Sequence, residues 1–338
     1  MAHLTESRLI PSTDWKENFR PNDADRYAAY ASAFEAIQTR KNKKFGPGRA
    51  LHRKQIIAAT AKLEVLSNLP EFASNGLFVE PRTFDVVVRL SNGGMDKASD
   101  RKPDIRGFSL RVLGVKGDSA LGMGPAKSQD FTLINQEKFA FPSSDEFVGF
   151  VVAASQGGAA LFKYLFKRYG FVGGMRRVLS MAKTMKKPFG GFTTETMYSC
   201  VPMACGPFAV RVRLVPAETN SNVTATALGT DANFGADFSA RIAQQDLAWD
   251  LQLQPFVNEV ITPIEDASVN WTTPYVTVAR LSMPKQQVDS PQGKALSEEV
   301  EADVFDPWQA LAAHRPLGDV QRARKVVYYQ SQKGRGAA

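Results

Sequence analysis

Phe84-Asp85-Val86-Val87-Val88-Arg89-Leu90-Ser91 is the stretch on which the reading of this chain turns. Its β-branched run is short and reads as a strand, and Gly93-Gly94 just after it reads as a turn. An arginine directly behind three valines demands a partner, because an unpaired buried charge is costly. Comparable segments lie on either side. Residues 57–66, 107–115, 129–135, 249–257 and 274–281 read as strands, and 208–214 alternates like a strand with one wet face. Helical patterning covers 22–41, with Asn22 or Asp23 as cap and Tyr27, Tyr30, Phe34 and Ile37 on one stripe. It returns over 144–187, 235–247 and 318–332. Strands that look antiparallel, with helices grouped between them, predict an α+β fold rather than regular βαβ alternation.

The 338 residues are 43% apolar and 22% charged, an ordinary globular composition that excludes disordered and collagenous classes. No internal repeat or low-complexity linker divides the chain. The expected organisation is an arm and helix over 1–44 and one domain over 45–338, a single structural unit overall. Cys200 and Cys205 are too few for a disulfide framework, and read as buried free thiols along a strand. Three histidines exclude a His-rich metal site. The first residues carry no secretory signal, and no run reaches about 18 apolar residues. The expected location is therefore cytoplasmic. Nucleotide-binding loops, a nucleophile elbow, HExxH and CxxC are all missing from the sequence.

Three separated segments carry chemistry together. They are Arg49-Ala50-Leu51-His52, then Val88-Arg89-Leu90-Ser91 followed by Asp104-Ile105-Arg106-Gly107-Phe108, and finally Arg324-Lys325-Val326-Val327-Tyr328. In this order and spacing the chain resembles the haem catalases. Segments 131–139, 276–281 and 304–307 fall where that family has comparable ones, so the resemblance runs over residues 45–335. It implies a catalase-like antiparallel β-barrel with surrounding helices, lacking the long C-terminal helical domain. It also implies haem b as cofactor and a homo-oligomer.

The resemblance assigns Tyr328 as the axial ligand of the iron, since tyrosine is the catalase ligand. Arg324, four residues back on the same helix face, would support the phenolate. His52 would move a proton between the two oxygens of a bound peroxide, because an imidazole titrates near neutrality. Ser91 would orient that ring. Arg49 and Arg89 match positions that hold the haem propionates, for which a forked guanidinium is suited. Phe139 matches an aromatic that stacks on the haem, and Arg106 reads as structural. The rival histidines are weak, His3 in a fraying terminus and His314 in a turn.

The sequence also departs from the family. Ala126 stands where catalases carry the distal asparagine, Leu51 replaces the usual valine, and the chain ends ten residues after Tyr328. Asn92 is the neighbour available to compensate for the asparagine. A less polar distal side suits a bulkier, oilier peroxide. The chain therefore resembles the truncated branch, which comprises catalase-related peroxidases and fatty-acid hydroperoxide dehydratases and lyases. The function expected is reduction or rearrangement of an organic or fatty-acid hydroperoxide. Hydrogen peroxide catalase or peroxidase activity is the alternative, and a non-catalytic haem-binding protein the second.

The net charge of +8 is not spread evenly. Residues 147–194 hold eight basic and no acidic side chains, leaving 34 of each sign elsewhere. Within them 159–187 reads as one or two basic amphipathic helices, either packed with a basic solvent face or docked peripherally on the anionic inner face of a membrane. Basic residues interleaved with apolar ones, with no recognition motif, argue against nucleic acid.

Overall fold

A computed structural model of the chain describes residues 9–185, 188–222 and 233–338. His3 and the lysines at 186 and 187 lie outside them. Among the described residues there are nine strands: β1 (Gln55–Val65), β2 (Thr83–Asn92), β3 (Arg106–Val112), β4 (Gln129–Ile134), β5 (Met197–Tyr198), β6 (Met203–Cys205), β7 (Phe208–Pro216), β8 (Leu247–Pro255) and β9 (Val276–Met283). The helices are α1 (Asp23–Phe45), α2 (Ser144–Ser155), α3 (Gly158–Met185), α4 (Phe234–Ile242), α5 (Pro291–Ala302) and α6 (Asp319–Lys333).

The strands follow the order β5-β4-β3-β2-β1-β9-β8-β7-β6, and a further β5–β7 pairing closes the sheet. Eight strands thus form an antiparallel barrel, with β6 beside β7 outside the ring. Side-chain alternation decides the interior. Val86, Val88 and Leu90 of β2 point into the core with Phe108, Leu110 and Trp249. The intervening Arg89 and Ser91 face outward, yet both are buried, because helices cover that wall. The loop between β8 and β9 covers β7 in the same way, against the reading of that strand as half wet. Arg211 is buried against Trp271, 4.5 Å from the ring centroid, and donates to Val269 O at 2.8 Å.

Helix α6 is fixed at both ends. Asp319, in its first turn, accepts from Ser144 N (2.8 Å) and Tyr27 Oη (2.9 Å), knotting α1, α2 and α6 together. Near the other end Gln332 donates to Asp306 Oδ2 at 2.7 Å. Buried Gln38 of α1 donates both to Gly48 O (2.9 Å) and to Ser331 O (3.0 Å), so one amide joins the segment before His52 to α6.

The predicted strands and helices form, with shifted ends. Helix α5 and the two-residue strand β5 were not expected. Cys205 lies on β6 as read, whereas Cys200 lies outside a strand, at a positive φ of 62°; both thiols are buried. His314 ends a short 3-10 turn over Ala312–His314, in keeping with the reading of a turn there. It is fully buried, accepts from Leu77 N at 2.8 Å through Nε2, and meets Ala204 O at 3.2 Å through Nδ1.

Candidate active site

His52 sits just before β1 in a left-handed backbone conformation, φ 49°, which a non-glycine residue adopts only where its surroundings impose it. Here both backbone groups are held. His52 N donates to Gly93 O at 3.0 Å, and Arg89 Nη2 donates to His52 O at 2.9 Å. The ring Nδ1 lies 3.0 Å from Ser91 Oγ. Gly107, opposite Ser91 on β3, explains the closeness. A Cβ there would meet His52 Nδ1 at 2.6 Å and Ser91 Oγ at 2.7 Å.

Burial, with Arg89, Arg324 and Arg49 nearby, pushes the His52 pKa down to about 3. The ring is therefore neutral near pH 7. Arg89 of β2, Arg324 of α6 and Arg49 thus all act electrostatically on one imidazole. Arg324 Nη2 donates to Tyr328 Oη at 2.7 Å and to Thr132 Oγ1 at 2.8 Å, so the guanidinium spans from α6 to the barrel wall. Tyr328 in turn acts on Arg89.

Arg49 and Arg89 meet at one carboxylate, Glu301 of α5. The distances to Glu301 Oε2 are 3.1 Å and 2.9 Å. Arg335, just past α6, donates to Ala302 O at 2.6 Å and Asp303 O at 2.7 Å, and adds a third guanidinium to the cluster. Burial and the repulsion of Arg89 and Arg335 drive Arg49 down to about 8 against the pull of Glu301 and Asp303. A guanidinium resists deprotonation, so this crowding marks a place that calls for more negative charge. Three arginines around one shared carboxylate fit the propionates of a haem. The Arg324–Tyr328 pair fits an anionic oxygen ligand. The residues present thus fit the group that the resemblance implies.

Asn92 faces away from Ser91. It follows Ser91 on β2 and alternation turns it to the opposite face. Its amide is committed, donating to Asp100 Oδ1 at 2.8 Å and accepting from Arg106. Both ends of that amide are engaged there, away from the face that carries Ser91. Phe139 joins an aromatic cluster with Phe141 and Phe147 and packs near Val320 at the start of α6. Ala126 packs partly against the barrel core.

Glu301 and Arg335 escaped the sequence reading. Ser290-Pro291 was a usable helix-start signal for α5, and Ser290 Oγ does accept from Gly293 N at 3.1 Å. Arg335 looked like any basic residue in a terminal tail.

No family profile matches the sequence, and no curated protein matches it. Solved structures do. A bacterial catalase superposes with a TM-score of 0.64 at 14% identity, over 98% of this chain and 64% of that one. A fungal catalase gives 0.64 and 14%, over 88% and 60%. The fold is that of the catalases. Catalase A from Saccharomyces cerevisiae gives the same TM-score and identity, over 98% and 69%. The chain thus spans less than two thirds of the length of the first two catalases. Identity this low establishes the catalase-like barrel, with its helices around it, and not the reaction.

Proposed function

We propose that the protein is a haem enzyme that reduces or rearranges organic or fatty-acid hydroperoxides. The observation that carries this reading is the convergence of a neutral, Ser91-bonded His52 with the Arg324–Tyr328 pair and the three-arginine cluster. Tyr328 would ligate the iron, and Arg324 would hold its phenolate oxygen. Arg49, Arg89 and Arg335 would bind the propionates. Ferric haem, when bound, would supply the two electrons that break the O–O bond; in rearrangement the substrate returns them, and in reduction an organic electron donor does.

The chain's own contribution is proton handling. With Nδ1–H donating to Ser91 Oγ, the lone pair of His52 lies on Nε2. That atom takes the proton of an incoming hydroperoxide and returns it to the departing oxygen. The depressed pKa keeps the imidazole in the accepting form. Gly107 preserves the room that the ring and Ser91 need. Asn92 being committed elsewhere and Ala126 lacking a polar side chain together leave a less polar distal side, which favours an alkyl or acyl chain over hydrogen peroxide.

The catalase fold favours a second reading, disproportionation of hydrogen peroxide. Two assays divide them. Loss of the conjugated-diene absorbance of a lipid hydroperoxide without oxygen release from hydrogen peroxide supports the first. Oxygen release with the lipid peroxide untouched supports the second. An absorption spectrum comes first. A high-spin ferric Soret band, lost in Tyr328→Phe, is expected, and a chain that binds no haem overturns both readings.

A further inference from the structure

Helix α3 breaks at Gly170 (φ 69°, ψ 177°), a conformation that suits glycine. Before the break the helix is anchored. Leu165 is buried, Tyr164 Oη donates to Glu146 O at 3.1 Å, and Tyr169 bonds the Glu146 carboxylate. After the break the usual arrangement is reversed. A surface helix ordinarily turns its apolar stripe to the core. Here Phe171, Val172 and Leu179 are 74%, 71% and 64% exposed. Phe171, Met175 and Leu179, spaced by four, make one outward stripe, and Arg176 and Lys183 stand exposed beside it.

Grouped apolar exposure of this kind marks an interaction face. Charge decides the partner. Residues 147–194 contain no carboxylate, while the rest of the chain is formally balanced. Glu146, the nearest acid on α2, is held inward by Tyr169 and lies 3.7 Å from Arg168 and 3.6 Å from Arg177. A second copy meeting it through the same face would bring the same positive charges to the contact and be repelled. A nucleic acid would leave the apolar stripe in water. No helix among the described residues is long and apolar enough to cross a membrane.

We propose that the segment of α3 beyond Gly170 docks on an anionic lipid surface. Its apolar stripe enters the headgroup boundary, and Arg176 and Lys183 meet lipid phosphates. The proposal does not rest on haem or on the reaction.

The test is co-sedimentation of the full chain with phosphatidylcholine vesicles, with and without phosphatidylglycerol, at low and high salt. Partitioning onto the anionic vesicles at low salt should exceed that onto neutral ones by about tenfold and fall similarly at high salt. Phe171→Ser with Leu179→Ser should weaken it about tenfold, with an unchanged melting curve because both side chains are exposed. Arg176→Gln with Lys183→Gln should remove much of the salt dependence. Absence of binding to anionic vesicles at low salt overturns the proposal, and so does binding indifferent to both double variants. Light scattering that shows a dimer abolished by the serine pair would instead make this face a self-interface.

Discussion

Arg89 Nη2 and Glu301 Oε2 lie 2.9 Å apart, joining a guanidinium that is 2% exposed on β2 to a carboxylate 212 residues further along the chain. Arg49 shares that carboxylate. One negative charge thus holds together a cluster built to face more.

Glu301 would compete with an incoming propionate for the same arginines. In Glu301→Gln the free chain should be destabilised by about 2 kcal/mol or more, because buried guanidiniums lose their counter-charge. Haem should bind about tenfold tighter, read by Soret titration, and raise the melting temperature more than in the parent chain. Weaker binding would show that Glu301 orients the arginines instead.

His52 should be needed as a proton carrier. Replacing it with Asn should lower kcat/KM for a hydroperoxide by about 10²–10⁴-fold with the Soret band retained. Because its pKa is pushed down to about 3, no acid limb should appear between about pH 8 and 5. A limb near the ordinary histidine value of about 6.5 would contradict the neutral ring.

Gly107→Ala places a methyl group within 2.7 Å of His52 Nδ1 and Ser91 Oγ. The imidazole must move. Turnover should fall by at least about tenfold, with a stability loss of about 1–3 kcal/mol from overpacking. Full activity in this variant would mean that the His52–Ser91 bond has no part in the reaction.

His314 is a pH sensor of stability rather than a site residue. Burial holds its pKa at about 4 in the folded chain, below the unfolded value. The unfolded chain therefore binds the proton first as pH falls. The stability due to the neutral ring is complete above about pH 6.5 and is lost as pH drops towards about 4, on the order of 3 kcal/mol in all. His314→Gln should lessen the slope of that part of the stability–pH curve, to which His52 contributes with the same sign, measured by urea unfolding. An unchanged slope would place the acid sensitivity elsewhere.

Much of the barrel was legible because its strands follow simple alternation. Val86, Val88 and Leu90 read as core, and Arg89 between them read as a charge that needs a partner. The partner was not legible. Helix α5 is polar, and Glu301 in its acidic run looks like a solvated face until the fold brings β2 against it. The two-residue strand β5 closes the barrel by pairing with β4 and β7, too short a pattern to read. Asn92 is the opposite case. Its position beside Ser91 in sequence suggested a shared role, yet adjacent strand residues face opposite ways.

The order of the motifs, the spacing of Arg324 and Tyr328 along one helix, and the placement of the charge excess in 147–194 were determined by sequence, because each depends only on near neighbours in the chain. Tertiary structure decided the rest. It set the His52–Ser91 contact, the choice of Glu301 for Arg49 and Arg89, and the outward turn of Phe171 and Leu179. Each of these depends on which surfaces cover one another, and burial is settled by contacts between residues far apart in the chain.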